Sequence, residues 1–325
     1  MLPLTLDDFP PLFLRLVLGA FGLLWGSFLN VVIYRVPRGM SVVRPASHCP
    51  GCGKPIKPWQ NVPLFGWLFL RGRAACCGVA IPFRYPMVEA IGGVLSLAIL
   101  ELILFRLDPA TSVGRAGAIY CADLALVLGL TAASFIDLEH MILPNSITYG
   151  GAVLGFATAS FRDLSFLDSA IGAAAGFAVI YVPFVLIYPR LRGKAGMGLG
   201  DAKLMACAGA WFGWKGALFV LGAGALQGTV AAIGMLVARG KIEEPEAVKR
   251  EREELKAEVE ADLAAMTPEE RAEAEAELAK DPLYDEPGEG LGAVRMPFGP
   301  FLALATIEFL FFGREILDGY LSFLG

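Results

Sequence analysis

The sequence predicts an all-α polytopic membrane protein. It should have about eight transmembrane helices, a small cytoplasmic zinc-knuckle-like loop domain and a cytoplasmic acidic helical hairpin insert. Three observations predict this. Hydrophobic residues make up 56% of the 325-residue chain and charged residues 18%, with mean hydropathy +0.59; a soluble domain carries roughly 25% charged residues. Apolar runs long enough to cross a bilayer recur along the chain. Charge is also segregated. Residues 243–286 hold 17 acidic and 6 basic side chains, net −11, so against a total of −5 the remainder is net +6.

The elements follow in order. Residues 1–34 carry the first transmembrane helix, with its span near 12–34. No cleavable leader is expected before it, because no small-residue cleavage site precedes the span. Residues 35–84 form the cysteine-containing loop. Residues 85–238 carry helices two to seven, with spans near 85–106, 116–136, 142–160, 168–189, 201–214 and 216–238. The sixth is short for a hydrocarbon core of about 30 Å, so it reads as a partial or tilted helix. Residues 239–296 form the charged insert, and 297–325 the last helix, spanning 297–323.

Lys and Arg in loops mark the cytoplasmic side. Loops 35–84, 190–203 and 239–296 hold 8, 4 and 9 of them. With eight spans all three fall on one side, so both termini are expected outside and the large loops in the cytoplasm. No nucleic-acid partner is expected; membrane lipid is.

Of six cysteines, Cys121 and Cys207 fall in apolar spans and read as small packing residues. The other four lie in the first loop, where a reducing compartment disfavours disulfides. HCPGC (48–52) has the form of a zinc-knuckle turn, with Gly53 relieving the backbone after it. Cys49 and Cys52 with Cys76 and Cys77 make a four-thiolate set suited to a closed structural Zn²⁺ site. The second pair is adjacent rather than spaced, and His48 is an alternative fourth ligand. The competing reading is a metal-free loop packed on Trp59, Phe65 and Trp67.

Asp137 ends the third span and Asp201 opens the sixth, in GMGLGDAKL (196–204). Ionisable groups in spans are costly and mark function. Both sit at cytoplasmic helix ends, so they can meet near one membrane face. Two carboxyls held close together share one proton. One can then take a proton from water while the other donates to a peptide carbonyl oxygen. Gly196, Gly198 and Gly200 are expected to supply positive φ and close approach of an extended backbone. The plain alternatives are an N-cap for Asp201 and an interfacial carboxylate beside Glu139 and His140 for Asp137.

These motifs resemble the type IV prepilin leader peptidases, the GxGD aspartic proteases of bacterial inner membranes. GSFLNVVIYRVPRG (26–39), HCPGC (48–52), PWQNVPLFGWLFLRGR (58–73), FRYPMVEAIGG (83–93), Asp137 with ILPN (142–145), GMGLGDAKL (196–204) and MPFGPFLALA (296–305) occur in the family's order. The resemblance implies a membrane endopeptidase whose catalytic residues are Asp137 and Asp201. It would cut a basic leader from type IV prepilins and pseudopilins at the cytoplasmic face, then N-methylate the new terminus with S-adenosylmethionine. It also implies that Gly72 and Arg73 stand where the family has the Gly-Lys linked with methylation. Ala74 stands where the family has a cysteine, with Cys76 as the substitute. Glu89, in the second span, is a further cofactor-site candidate.

The insert is rich in helix formers, and Thr267, Pro268 and Glu270 read as N-cap, N1 and N3 of a second helix. It is a solvated spacer or a partner for the basic first loop. Two other classes compete with the enzyme. One is an ion or proton transporter using the same aspartates, although these lie at the membrane edge and no internal repeat is visible. The other is a non-catalytic zinc-loop scaffold.

Overall fold

The computed structural model describes residues 4–192, 196–239 and 296–324, and five isolated positions in the insert, 249, 253, 257, 263 and 271. Those five are helical, but the predicted hairpin and its Thr267 cap lie outside the described residues. The described chain is all-helical; its only β pairings are isolated bridges.

The helices are α1 (Pro11–Arg35), α2 (Phe65–Phe69), α3 (Arg84–Leu102), α4 (Val113–His140), α5 (Asn145–Ala157), α6 (Phe166–Ile180), α7 (Tyr188–Arg192), α8 (Leu199–Arg239) and α9 (Gly299–Leu324). Among the described residues five stretches are long and apolar enough to cross a membrane: Pro11–Arg35, Arg84–Arg106, Val113–His140, Phe166–Arg192 and Leu199–Ala238. The fourth of these joins α6 to α7 through a π-helical segment, Tyr181–Ile187. Pro183 lies inside that segment and has no N–H to continue an α-helical ladder.

The spans read at 201–214 and 216–238 lie in the stretch Leu199–Arg239, two helices that meet at a kink. The kink is at Gly213, where φ is 70° and ψ −176°. That region is open essentially only to glycine, so the break falls there and not at Lys215. Asp201 lies in the first turn of this element rather than at its first residue.

Helix α4 is central: 72% of its apolar window is buried, against 28% for α1 and 17% for the α6–α7 stretch. One of its faces packs with α1 and α3 through Val127 and Ile136, and the other with α8 and α9 through Leu126 and Leu130. Cys207 is buried as expected, but Cys121 faces outward from the bundle.

Helix pairs meet backbone to backbone. Lipid offers no hydrophobic drive between helices, so close packing by small residues has to hold them. Gly22 and Gly26 of α1 face Gly92 and the Glu89 backbone of α3. Gly172 and Gly176 of α6 face Gly209 and the Met205 carbonyl of α8. A Cβ added at Gly209 would lie 2.0 Å from the Gly172 carbonyl oxygen. Buried hydroxyls bridge the same pairs: Ser96 donates to the Leu18 carbonyl at 2.6 Å, and Ser169 to the Ala210 carbonyl at 2.7 Å.

Overpacking of this kind costs roughly 1–3 kcal/mol or more. Gly209→Leu should therefore lower the thermal unfolding midpoint of the detergent-purified protein clearly. Gly222→Ala, whose new Cβ meets nothing within 4 Å, should leave it unchanged. Equal midpoints for the two variants would show that the α6–α8 contact is not limiting.

Candidate active site

The last turn of α4 carries Asp137. The helix stops just after it, with Met141 in the left-handed region (φ 55°) and its amide donating to the Asp137 carbonyl. Ile142, Leu143 and Pro144 then lead into α5. The first turn of α8 brings in Asp201. Both carboxyls are nearly enclosed, at 6% and 8% exposed, and they lie within Coulombic reach of one another.

Backbone amides aim each carboxyl. The Gly299 amide, at the start of α9, donates to Asp137 Oδ2 at 3.1 Å. The Gly198 amide donates to Asp201 Oδ2 at 3.2 Å. Both carboxyls thus sit at helix N-termini, where orphan amides and the helix dipole favour an acceptor. Leu143 packs against both Gly200 and Gly299. A Cβ added at Gly200 would come 3.0 Å from Leu143 Cβ, and one at Gly299 would come 2.6 Å from Asp137 Oδ2 and 3.0 Å from Leu143 Cδ2. Lys203 Nζ donates to Asn145 Oδ1 at 2.7 Å and ties α8 to the start of α5.

The role expected of the glycines needs correction. Among the described glycines, positive φ occurs at Gly39, Gly53, Gly72, Gly78 and Gly213, and at none of Gly196, Gly198 or Gly200. Neighbours press on two of them, Gly196 against the Phe184 carbonyl and Tyr188 and Gly200 against Leu143, whereas a Cβ at Gly198 would meet only ordinary contacts. Gly299 was not singled out in the sequence, although a lone glycine between Phe298 and Pro300 at a helix start was a visible signal. Asp123 was also missed. It is 3% exposed on α4, about 21 Å of helix rise from Asp137, and faces Arg162 electrostatically. Arg162 lies over the Trp211 ring at 4.1 Å and donates to the Trp211 and Gly155 carbonyls.

The loop after α1 is anchored by Arg35, which is 5% exposed and donates to the Ser41 and Pro45 carbonyls. It then makes two matching turns. In the first, the Gly53 amide donates to the Cys49 carbonyl and the Cys49 amide to the Lys54 carbonyl. In the second, the Gly78 amide donates to the Ala74 carbonyl and the Ala74 amide to the Val79 carbonyl. His48 pairs with Pro55, and Arg73 with Ala80, at the mouths of the two turns. Gly53 (φ 69°) and Gly78 (φ 74°) close them. In this register Ala74 matches Cys49 and Cys77 matches Cys52. Cys76, matching Gly51, reaches in where position 74 carries only a methyl.

The four sulfurs lie within 4.8 Å of one another. Cys49–Cys77 is 3.6 Å, Cys52–Cys76 3.3 Å and Cys76–Cys77 3.9 Å. Zn–S bonds of about 2.3 Å in a tetrahedron need sulfurs about 3.8 Å apart, so the donor set fits that ion. His48 bonds to the Ala46 carbonyl instead. The Gly51 amide brings the Cys49 thiol down to about 7, while hydrogen bonding to Cys52 pushes Cys76 up to about 12. Successive thiolates oppose one another, and a divalent cation offsets that. Trp59 and Phe65 are exposed, so they do not serve as a packed core for the loop.

Glu89 accepts from the Leu64 amide at 2.8 Å and bonds Ser27. Gly72 packs on Trp67, and its carbonyl accepts from the Ile81 amide. Among the described residues no direct hydrogen bond joins Glu89 to Gly72 or Arg73.

A bundle of membrane-capable helices with two facing, nearly enclosed carboxyls defines a polytopic protein built around an acid pair. Comparison with known proteins narrows the class. Residues 20–102 match the Bacterial Peptidase A24 N-terminal domain, and residues 124–233 match the Type IV leader peptidase family. The chain is similar to the "Prepilin leader peptidase/N-methyltransferase" of Xanthomonas campestris pv. campestris, 32% identical over 348 aligned positions covering 98% of each chain. It is similar to proteins of the same name from Aeromonas hydrophila, at 36% identity over 67% of this chain and 80% of the relative, and from Myxococcus xanthus, at 41% over 72% and 66%. No solved structure matches. The chain belongs to the type IV leader peptidase family.

The matched turns make a test. Cys76→Ala should lose bound zinc, measured by elemental mass spectrometry of the purified protein. Ala74→Cys with Cys76→Ala should regain about one ion per chain. Failure of the double variant to regain metal would reject the pairing of Ala74 with Cys49 across the two turns.

Proposed function

We infer that this chain is a membrane endopeptidase that removes the leader from type IV prepilins and pseudopilins and then N-methylates the new terminus. The observation that carries the peptidase reading is the enclosed pair Asp137 and Asp201, each fixed by one backbone amide through Oδ2. That leaves the second oxygen of each for chemistry. The pair holds one proton. The ionised carboxyl takes a proton from a water as it attacks the scissile carbonyl, and the protonated one donates to the carbonyl oxygen. Collapse of the tetrahedral adduct passes a proton to the leaving amine. The products are a leader carboxylate and a free N-terminus, with one proton again shared by the acids.

S-adenosylmethionine supplies the methyl group in the second reaction. Gly72, Arg73 and Glu89 remain the candidates for its site, with Glu89 tied to the cysteine loop through the Leu64 amide. Cys49, Cys52, Cys76 and Cys77 would hold Zn²⁺ as a structural ion that folds a loop poor in apolar core. Eight crossings, with α5 and the two parts of α8 counted separately, put both termini on the periplasmic side of the bacterial inner membrane. The sites then face the cytoplasm, as the basic loops favour.

Incubation of the purified protein with a prepilin and S-adenosylmethionine, followed by mass measurement, tests this. The expected product lacks the leader and carries one added methyl group. A product cut but unmethylated would confine the chain to peptidase work. An intact prepilin, from protein that still supports pilus assembly, would favour a scaffold.

A further inference from the structure

We propose that α2 and its flanks dock the cysteine loop onto an anionic bilayer surface. The five residues of α2 divide cleanly. Gly66 is buried and Trp67 points inward, donating to the Ile81 carbonyl and meeting Phe83 edge-on. Phe65, Leu68 and Phe69, at helical spacing i, i+3 and i+4, are 53%, 63% and 80% exposed, and Trp59 and Phe83 are each 66% exposed. Contiguous exposed apolar surface of this kind marks an interaction site.

Depth and charge select the occupant. The Leu64 amide, at the start of α2, is bonded to Glu89, five residues into α3. That is only about 7.5 Å along the α3 axis, so α2 lies level with the end of a membrane-capable helix. At that depth the headgroup boundary is its nearest apolar neighbour, and aromatic side chains are favoured there. Residues 35–84 contain eight basic side chains and no acidic one. Lys57 stands over the Trp59 ring at 5.1 Å, and Arg71 and Arg73 follow α2 directly. Each basic residue near an anionic leaflet favours binding. A short apolar face with a basic surround is the pattern of an interfacial anchor. Docking would hold the cysteine loop close to the membrane face on which Asp137 and Asp201 open.

The inference rests on the multi-pass reading but not on the peptidase activity. Its test is photocapture in the full-length protein, reconstituted in vesicles of phosphatidylethanolamine and phosphatidylglycerol. p-Benzoylphenylalanine is placed singly at position 69, at position 94 in the outward face of α3, or at position 54 on the cysteine turn. Lipid adducts are expected at 69 and 94 and not at 54, and the yield at 69 should fall severalfold in neutral phosphatidylcholine vesicles. Capture at 94 without capture at 69 would overturn docking alone, and failure at both would overturn the multi-pass reading with it. Adducts at 69 to a second copy of the chain or only to added prepilin, or equal capture in neutral vesicles, would also overturn the proposal.

Discussion

Two carboxyl groups held within each other's field at the edge of an apolar bundle are the constraint around which this protein is built. Such a pair is costly to enclose, and it stays in place only if the elements that carry it cannot drift apart. Three helix ends converge for that purpose: the close of α4 and the openings of α8 and α9. Gly198 and Gly299 supply the amides that fix the acids, and Leu143 fills the space between the elements. The positions of these ends are set by the helix packing behind them. Gly172 and Gly176 lie flush on α8, Gly22 and Gly26 lie flush on α3, and α4 is packed from both sides.

The cysteine loop follows a similar logic with different means. It has little apolar core, so repeated turns, an Arg35 anchor and four converging sulfurs give it shape. Its attachment to the bundle runs through Glu89, which accepts the Leu64 amide where Leu64 adopts positive φ. The loop and the acid pair are also linked by the ion pair of Arg84, at the loop's end, with Glu139, two residues past Asp137. Arg84 is only partly exposed, so the pair is shielded in part from the screening that weakens surface ion pairs.

Much of this is legible in the chain. Apolar length marks the helices, isolated acids in apolar context mark Asp137 and Asp201, and paired cysteines mark the loop. Hydropathy spacing places the break in the long helical stretch only approximately, at Lys215; it falls two residues earlier at Gly213, whose missing Cβ permits the positive φ. Nor can spacing separate glycine as a flexible joint from glycine as a gap for a neighbour, because the neighbours of Gly200 and Gly299 are distant in sequence. The adjacent cysteines look irregular until the turn hydrogen bonds pair Ala74 with Cys49. Asp123 carries the same signal as the two site acids, an acid in an apolar span, yet lies apart from them. Arg162, which faces it, comes from a short turn outside the predicted spans.

The central claim is that Asp137 and Asp201 act as one unit. Single-turnover cleavage of a prepilin by Asp137→Asn, by Asp201→Asn and by the double variant measures this directly. Residues acting as a unit are strongly non-additive, so all three proteins should fall to one common floor, roughly 10²- to 10⁴-fold or more below the parent. If either single variant kept the parental rate, or if the double variant lost the product of two separate modest losses, the shared-proton account would be contradicted.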